Sequence, residues 1–172
     1  HAVILGGNMS SRMCQKIREE MGLCYYIQTA TDNYLDTGVL STRAGVDQSR
    51  LHEAVSAIAR EYILVSENGI DEDELRRAKE YLKGKMTLAL EDSEERAHFF
   101  GKQALLYPHI EDIPQYFKKV EAVTKRQADA LALTILQPEH FRLVVIGKDQ
   151  EEKILESHLM PHSSQEKESL RS

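Results

Sequence analysis

Leu5-Gly6-Gly7-Asn8-Met9-Ser10-Ser11-Arg12-Met13, continued by Ile17-Arg18-Glu19-Glu20-Met21-Gly22-Leu23-Cys24-Tyr25, is the stretch whose reading decides the fold. Gly6-Gly7-Asn8 is a breaker cluster. Asn8 or Ser10 then caps a helix running to about Met21, where Gly22 closes it. Met13, Ile17 and Met21 recur every four residues on one face, enough for a short buried stripe. From Cys24 the pattern turns to strand chemistry, with Tyr25, Ile27 and Thr29 alternating with Tyr26, Gln28 and Ala30. A turn-rich centre (Asp32-Asn33, Asp36-Thr37-Gly38) separates this run from a second, Val39 to Ala44. Together they read as an antiparallel hairpin with a long tip, broken at Gly45-Val46-Asp47.

Upstream, His1 is followed directly by the apolar run Ala2-Val3-Ile4-Leu5, with no basic region or cleavage site of a signal peptide. It reads as the last turns of an element that starts earlier in a longer polypeptide. Downstream, Leu51, Val55, Ile58, Tyr62 and Val65 step at helical spacing until Asn68-Gly69. Asp71 with Glu74 has the form of a capping box opening a helix with Leu75, Ala78, Leu82 and Met86 inward. Ser93 is placed to cap a helix through Ala97, Phe100 and Ala104 to Tyr107, stopped by Pro108. Asp112 and Pro114 start the next, with Phe117, Val120 and Val123 inward. Thr124 and Gln127 box the last, with Ala128, Leu131 and Ile135 on its face. The apolar run Phe141 to Ile146 reads as a buried strand before Gly147. Beyond it, Ile154, Leu155 and Leu159 suggest one short helix in a polar, disordered end.

The resulting class is α+β: helices on one face of a largely antiparallel sheet, with too few strands for a complete sheet and N-terminal strands expected elsewhere. Residues 1–149 are expected to form one domain and 150–172 a polar tail. A length of 172 residues is enough for a core without staples, and 41% hydrophobic with 29% charged residues is an ordinary globular balance. The net charge of −6, with acids and bases interspersed, speaks against a nucleic-acid partner. No apolar run approaches a membrane span. Cys14 and Cys24 read as buried thiols, compatible with a reducing compartment, and a cytoplasmic location is the expectation.

Each candidate metal motif fails at a named position. His52-Glu53 begins a zincin helix but has Ser56 at the second ligand position; Glu139-His140 fits the inverted motif only with a histidine at Leu136. His158 and His162 are separated by Pro161, with no glutamate before His162. His98, near an apolar stripe, reads as a partly buried histidine. No nucleophile elbow surrounds Ser10-Ser11, Gly6-Gly7 lacks the Lys-Ser/Thr of a phosphate loop, and the acids Glu91 to Glu95 lack calcium-loop spacing. Arg18 and Tyr25 remain, seven apart (25 − 18 = 7), on either side of the Gly22 turn. A guanidinium and a phenol there could offer donors to a carbonyl or carboxylate. On spacing alone, a surface ion pair for Arg18 and a sheet position for Tyr25 compete with that reading.

The quoted stretch closely resembles the second half-domain of insulinase/pitrilysin-family zinc peptidases, the family of the mitochondrial processing peptidases. Asp36-Thr37-Gly38, the helix start Gly69 to Leu75, Lys83-Gly84, Arg96-Ala97, Tyr107, Glu121 to Thr124 and Val145-Ile146-Gly147 extend the likeness to about Asp149. The resemblance implies a metallohydrolase half-domain facing a homologous half across a substrate chamber. That partner half, or partner subunit, would carry His-x-x-Glu-His, zinc and the general base; this chain would bind no metal and be inactive alone. It further implies that Tyr25 is catalytic, hydrogen-bonding the carbonyl oxygen as it becomes an oxyanion, and that Arg18 and Tyr25 bind an extended peptide or unfolded protein. The alternative is a regulatory or structural member of the family that binds without hydrolysis.

Overall fold

The computed structural model describes residues 1–147 and 157–159. Helix α1 (Ala2–Gly6) ends where the chain must pass close to a strand: a Cβ on Gly6 would collide with Thr29 Oγ1 and lie 2.8 Å from the Thr29 backbone nitrogen. Only glycine allows that approach. The following loop is tied by Asn8, whose Oδ1 accepts from the Ser10 amide at 2.9 Å and whose carbonyl accepts from Ser11 Oγ at 2.5 Å.

The expected helix forms from Arg12 but is wound as a π-helix over Cys14–Glu20, with the Met21 amide reaching back to the Lys16 carbonyl at 3.0 Å. Gly22 ends it at φ 58, the left-handed conformation that favours glycine. Met13 and Ile17 are fully buried, and Met21 is half-buried against the same core. Strands β1 (Cys24–Asn33) and β2 (Gly38–Val46) pair antiparallel, giving the predicted hairpin. Gly45 and Val46 remain within β2, because Tyr26 and Cys24 pair with them.

After a 3-10 turn over Gln48–Arg50 capped by Asp47, helix α2 (Leu51–Asn68) runs with the predicted stripe and stops at Gly69. The hairpin is fastened to α2 by a hydroxyl chain. Thr29 and Thr42 Oγ1 lie 2.7 Å apart, and Thr42 Oγ1 is 2.5 Å from Tyr62 Oη. Helix α3 (Glu72–Ala89) opens with the predicted Asp71/Glu74 capping box. Helices α4 (Ser93–Leu106), α5 (Ile113–Ala122) and α6 (Lys125–Ile135) follow, the last two each with a complete capping box. Asp92, not Ser93, caps α4, accepting from the Glu94 and Glu95 amides. The core gathers α1, the π-helix, β1, α2, the start of α3 and the end of α6, centred on Leu5, Met13, Ile17, Leu23, Val65 and Ile70.

Three expectations fail on packing. Helices α4 and α5 bury no residue fully: Ala97, His98, Ala104 and Val123 are exposed, and Phe100, Phe117 and Val120 are half-buried. Their rings meet at one point, Phe99 of α4 edge-on to Tyr116 of α5, with Phe100 and Phe117 beside them in sequence. In α6 the buried face is Ala128, Ala132 and Leu136 rather than Leu131 and Ile135, because α6 lies against α2. Phe141 to Ile146 is no strand. It pairs with neither β1 nor β2, and Val144 and Ile146 are 85% and 98% exposed. A strand needs a neighbouring edge for its amides, and none meets this run among the described residues. The expected tail and Ile154-Leu155 lie outside the described residues, apart from a helical turn at 157–159.

Candidate functional site

The π-helix brings Arg18 into its last turn, and the Gly22 turn returns the chain within two residues to the start of β1. There the ladder slips: Cys24 pairs with Val46 and Tyr26 with Gly45, leaving Tyr25 as the extra residue of a β-bulge. A bulge re-aims the side chain it carries. Cys24, Ile27 and Thr29 are buried, so the inward face steps by three and then by two. Tyr25 therefore does not share the face of Ile27 and Thr29, as simple alternation predicts. It is 74% exposed, and its hydroxyl has no hydrogen-bond partner among the described residues. The odd step from Cys24 to Ile27 is the sequence signal that could have placed the bulge.

Arg18 differs from Arg12 and Arg50 in how little it is neutralised. Arg12 forms a fork with Glu74, Nε to Oε1 at 2.6 Å and Nη2 to Oε2 at 2.7 Å, and also donates to the Gly69 carbonyl. Arg50 donates to Glu53 and to the carbonyls of Met21 and Gly22, pinning the turn. Arg18 has only a long contact of 3.7 Å to Glu19 and a bond from Nη1 to the sulfur of Met9 at 3.3 Å. Met9 was not singled out from sequence. Beneath the site lie two free, buried thiols, as expected. Burial pushes the Cys24 thiol up; the nearby Arg18 charge pulls it down and Cys14 adds to the rise. Arg18 and Tyr25 thus flank Cys24, with no hydrogen bond or cation–π contact between them among the described residues. The arrangement is two donors beside Cys24, Tyr25 exposed on a bulge and Arg18 partly exposed without a tight carboxylate.

No group of three or more His, Cys, Asp or Glu side chains among the described residues could hold a metal ion. His52 and His158 have ring centroids 4.9 Å apart without a third such ligand. Leu136, the failed inverted-motif position, is buried in the core. His162 lies outside the described residues. No helix among the described residues is long and apolar enough to cross a membrane.

Residues 2–82 match the family described as the Peptidase M16 inactive domain. The chain is 34% identical over 155 residues to an uncharacterized zinc protease of Mycobacterium leprae, covering 90% of this chain and 35% of that protein. It is 32% identical over 132 residues to one of Streptomyces coelicolor, covering 77% and 29%. The chain thus spans about a third of the length of these curated relatives, 35% and 29%. Among solved structures, the inactive peptidase domain of a protein from Bordetella parapertussis aligns with TM-score 0.59 at 18% identity, over 81% of this chain and 75% of that one. A conserved protein from Enterococcus faecalis aligns with TM-score 0.66 at 21% identity, over 76% and 30%. These two structures share its fold.

Proposed function

We propose, from the match of residues 2–82 to the Peptidase M16 inactive domain and the likeness to proteins named zinc proteases, that the chain is the C-terminal, substrate-clamping half of a zinc endopeptidase. Arg18 binds backbone carbonyls of an extended peptide, and Tyr25 donates its phenolic hydrogen to the carbonyl oxygen under attack. The observation that carries the reading is the exposure of Tyr25 on a bulge together with the lack of a tight carboxylate at Arg18. A packing role would bury the phenol, and a structural ion pair would consume the guanidinium as Glu74 consumes Arg12.

The residues described do not fit a zinc site, so the metal of relatives named zinc proteases is assigned to another part of the complete protein, together with the general base. What this half supplies is preorganisation. A donor fixed before the reaction stabilises developing charge without reorganising, and loss of one such donor costs on the order of 100-fold in turnover. Its partner is the zinc-binding half or a partner subunit, and its substrate an unfolded or extended polypeptide. The two described cysteines are free, and the location proposed for it is cytoplasmic.

Tyr25→Phe in the complete protein tests this. Turnover of an unstructured peptide should fall on the order of 100-fold while zinc content stays constant. Unchanged turnover would remove Tyr25 from the mechanism and favour a half that binds without hydrolysing.

A further inference from the structure

We propose that Met9 is the positioning residue for Arg18, its neutral thioether orienting the guanidinium while leaving the charge available to a peptide carbonyl. The functional meaning rests on the peptide-binding reading of Arg18; the contact itself does not.

Met9 is 62% exposed, and no other methionine among the described residues is exposed. Leaving a long apolar side chain in water forgoes burial energy, so packing does not account for its position. Its place is nonetheless fixed. The Asn8 bonds to Ser10 and Ser11 lock the loop, and Cys14, buried at 3%, directs its thiol to Met9 Sδ at 3.9 Å. The sulfur is held from below by the core and accepts Arg18 Nη1 from above at 3.3 Å.

A carboxylate at this position would bind Arg18 more strongly and cancel its charge, as Glu74 does for Arg12. A thioether is a weak, uncharged acceptor. It restricts the rotamers of the guanidinium while leaving the Nη2 hydrogens and one Nη1 hydrogen unengaged by Met9 or Glu19. Binding a peptide then costs less ordering of a flexible side chain. Glu19, adjacent in sequence and 3.7 Å away at Nε, is too distant for a hydrogen bond and does not substitute for the sulfur.

The test uses phenylglyoxal modification of individual arginines, read by peptide mass spectrometry, with Arg12 as internal control. Met9→Leu keeps the shape and deletes the acceptor; Met9→Gln restores an acceptor. The Leu variant should modify several-fold faster at Arg18 and unchanged at Arg12, and the Gln variant should return towards the parent rate. Equal Arg18 rates in parent and Leu variant, or no return in the Gln variant, would overturn the proposal. In the complete protein, Met9→Leu should raise KM for peptide and leave kcat unchanged; a fall in kcat at constant KM would also count against it. If Arg18→Ala leaves KM unchanged, the peptide-binding reading fails, while the rate difference at Arg18 still measures the Met9 contact.

Discussion

Arg12 and Arg18 lie on the same short segment and end in opposite states, and the difference is set by what each meets across the fold. Arg12 reaches Glu74 at the start of α3, where Glu74 Oε2 also accepts the Asp71 amide at 2.8 Å to close the capping box. Burial pushes the Glu74 carboxyl up, but the Arg12 hydrogen bonds, the Asp71 amide and the Arg12 charge outweigh it, so its pKa lies below the usual glutamate value. A folded-state pKa below the unfolded one means stability that is present above the ordinary value of about 4.3 and lost as pH falls through the depressed one. Glu74→Gln should therefore cost about 2 kcal/mol at neutral pH in urea unfolding. The difference from the parent should shrink below about pH 4. A constant difference down to strongly acidic pH would show that the pair contributes by shape and not by charge. The capping partner of Glu74 was legible in the spacing of Asp71 and Glu74; Arg12, 62 residues away in the chain, was not.

Between elements, α1 meets β1 at a joint with no room for a side chain at Gly6. Gly6→Ala would place a methyl group 2.8 Å from the Thr29 backbone nitrogen, which cannot rotate away, as well as against Thr29 Oγ1. Thr29 also starts the hydroxyl chain through Thr42 to Tyr62, so its displacement reaches α2. A loss of 1–3 kcal/mol, roughly that of overpacking elsewhere, is expected in thermal unfolding. A variant as stable as the parent would mean that α1 can slide along the strand. Helix starts at this scale were readable because caps are local: Asp71, Asp112 and Thr124 each bond within three residues. Helix faces were less so. An apolar stripe says which side would bury, not whether a surface arrives to bury it, and α4 and α5 meet too little surface to bury any residue fully. Phe141 to Ile146 shows the same limit for strands, since its composition is right and its edge partner is missing among the described residues.

At the scale of the molecule, no cluster of metal ligands appears among the described residues, and the role we propose for the chain is to supply donors. Equilibrium dialysis of the 172-residue chain should find no stoichiometric zinc; one zinc per chain would overturn its assignment as the inactive half. The sequence by itself determined the breakers, the Asp71/Glu74 and Thr124/Gln127 capping boxes, the α2 stripe, the hairpin and the failure of every metal motif. All of these depend on residues within a few positions of one another, where backbone geometry dictates who meets whom. It also marked Arg18 and Tyr25 as a pair across a turn. Only the tertiary structure decided what that pair presents. The bulge that turns Tyr25 outward depends on the register between two strands, and the availability of Arg18 depends on its meeting a sulfur where Arg12 meets a carboxylate. Register and long-range partners are set by the packing of the whole core, which local spacing does not encode.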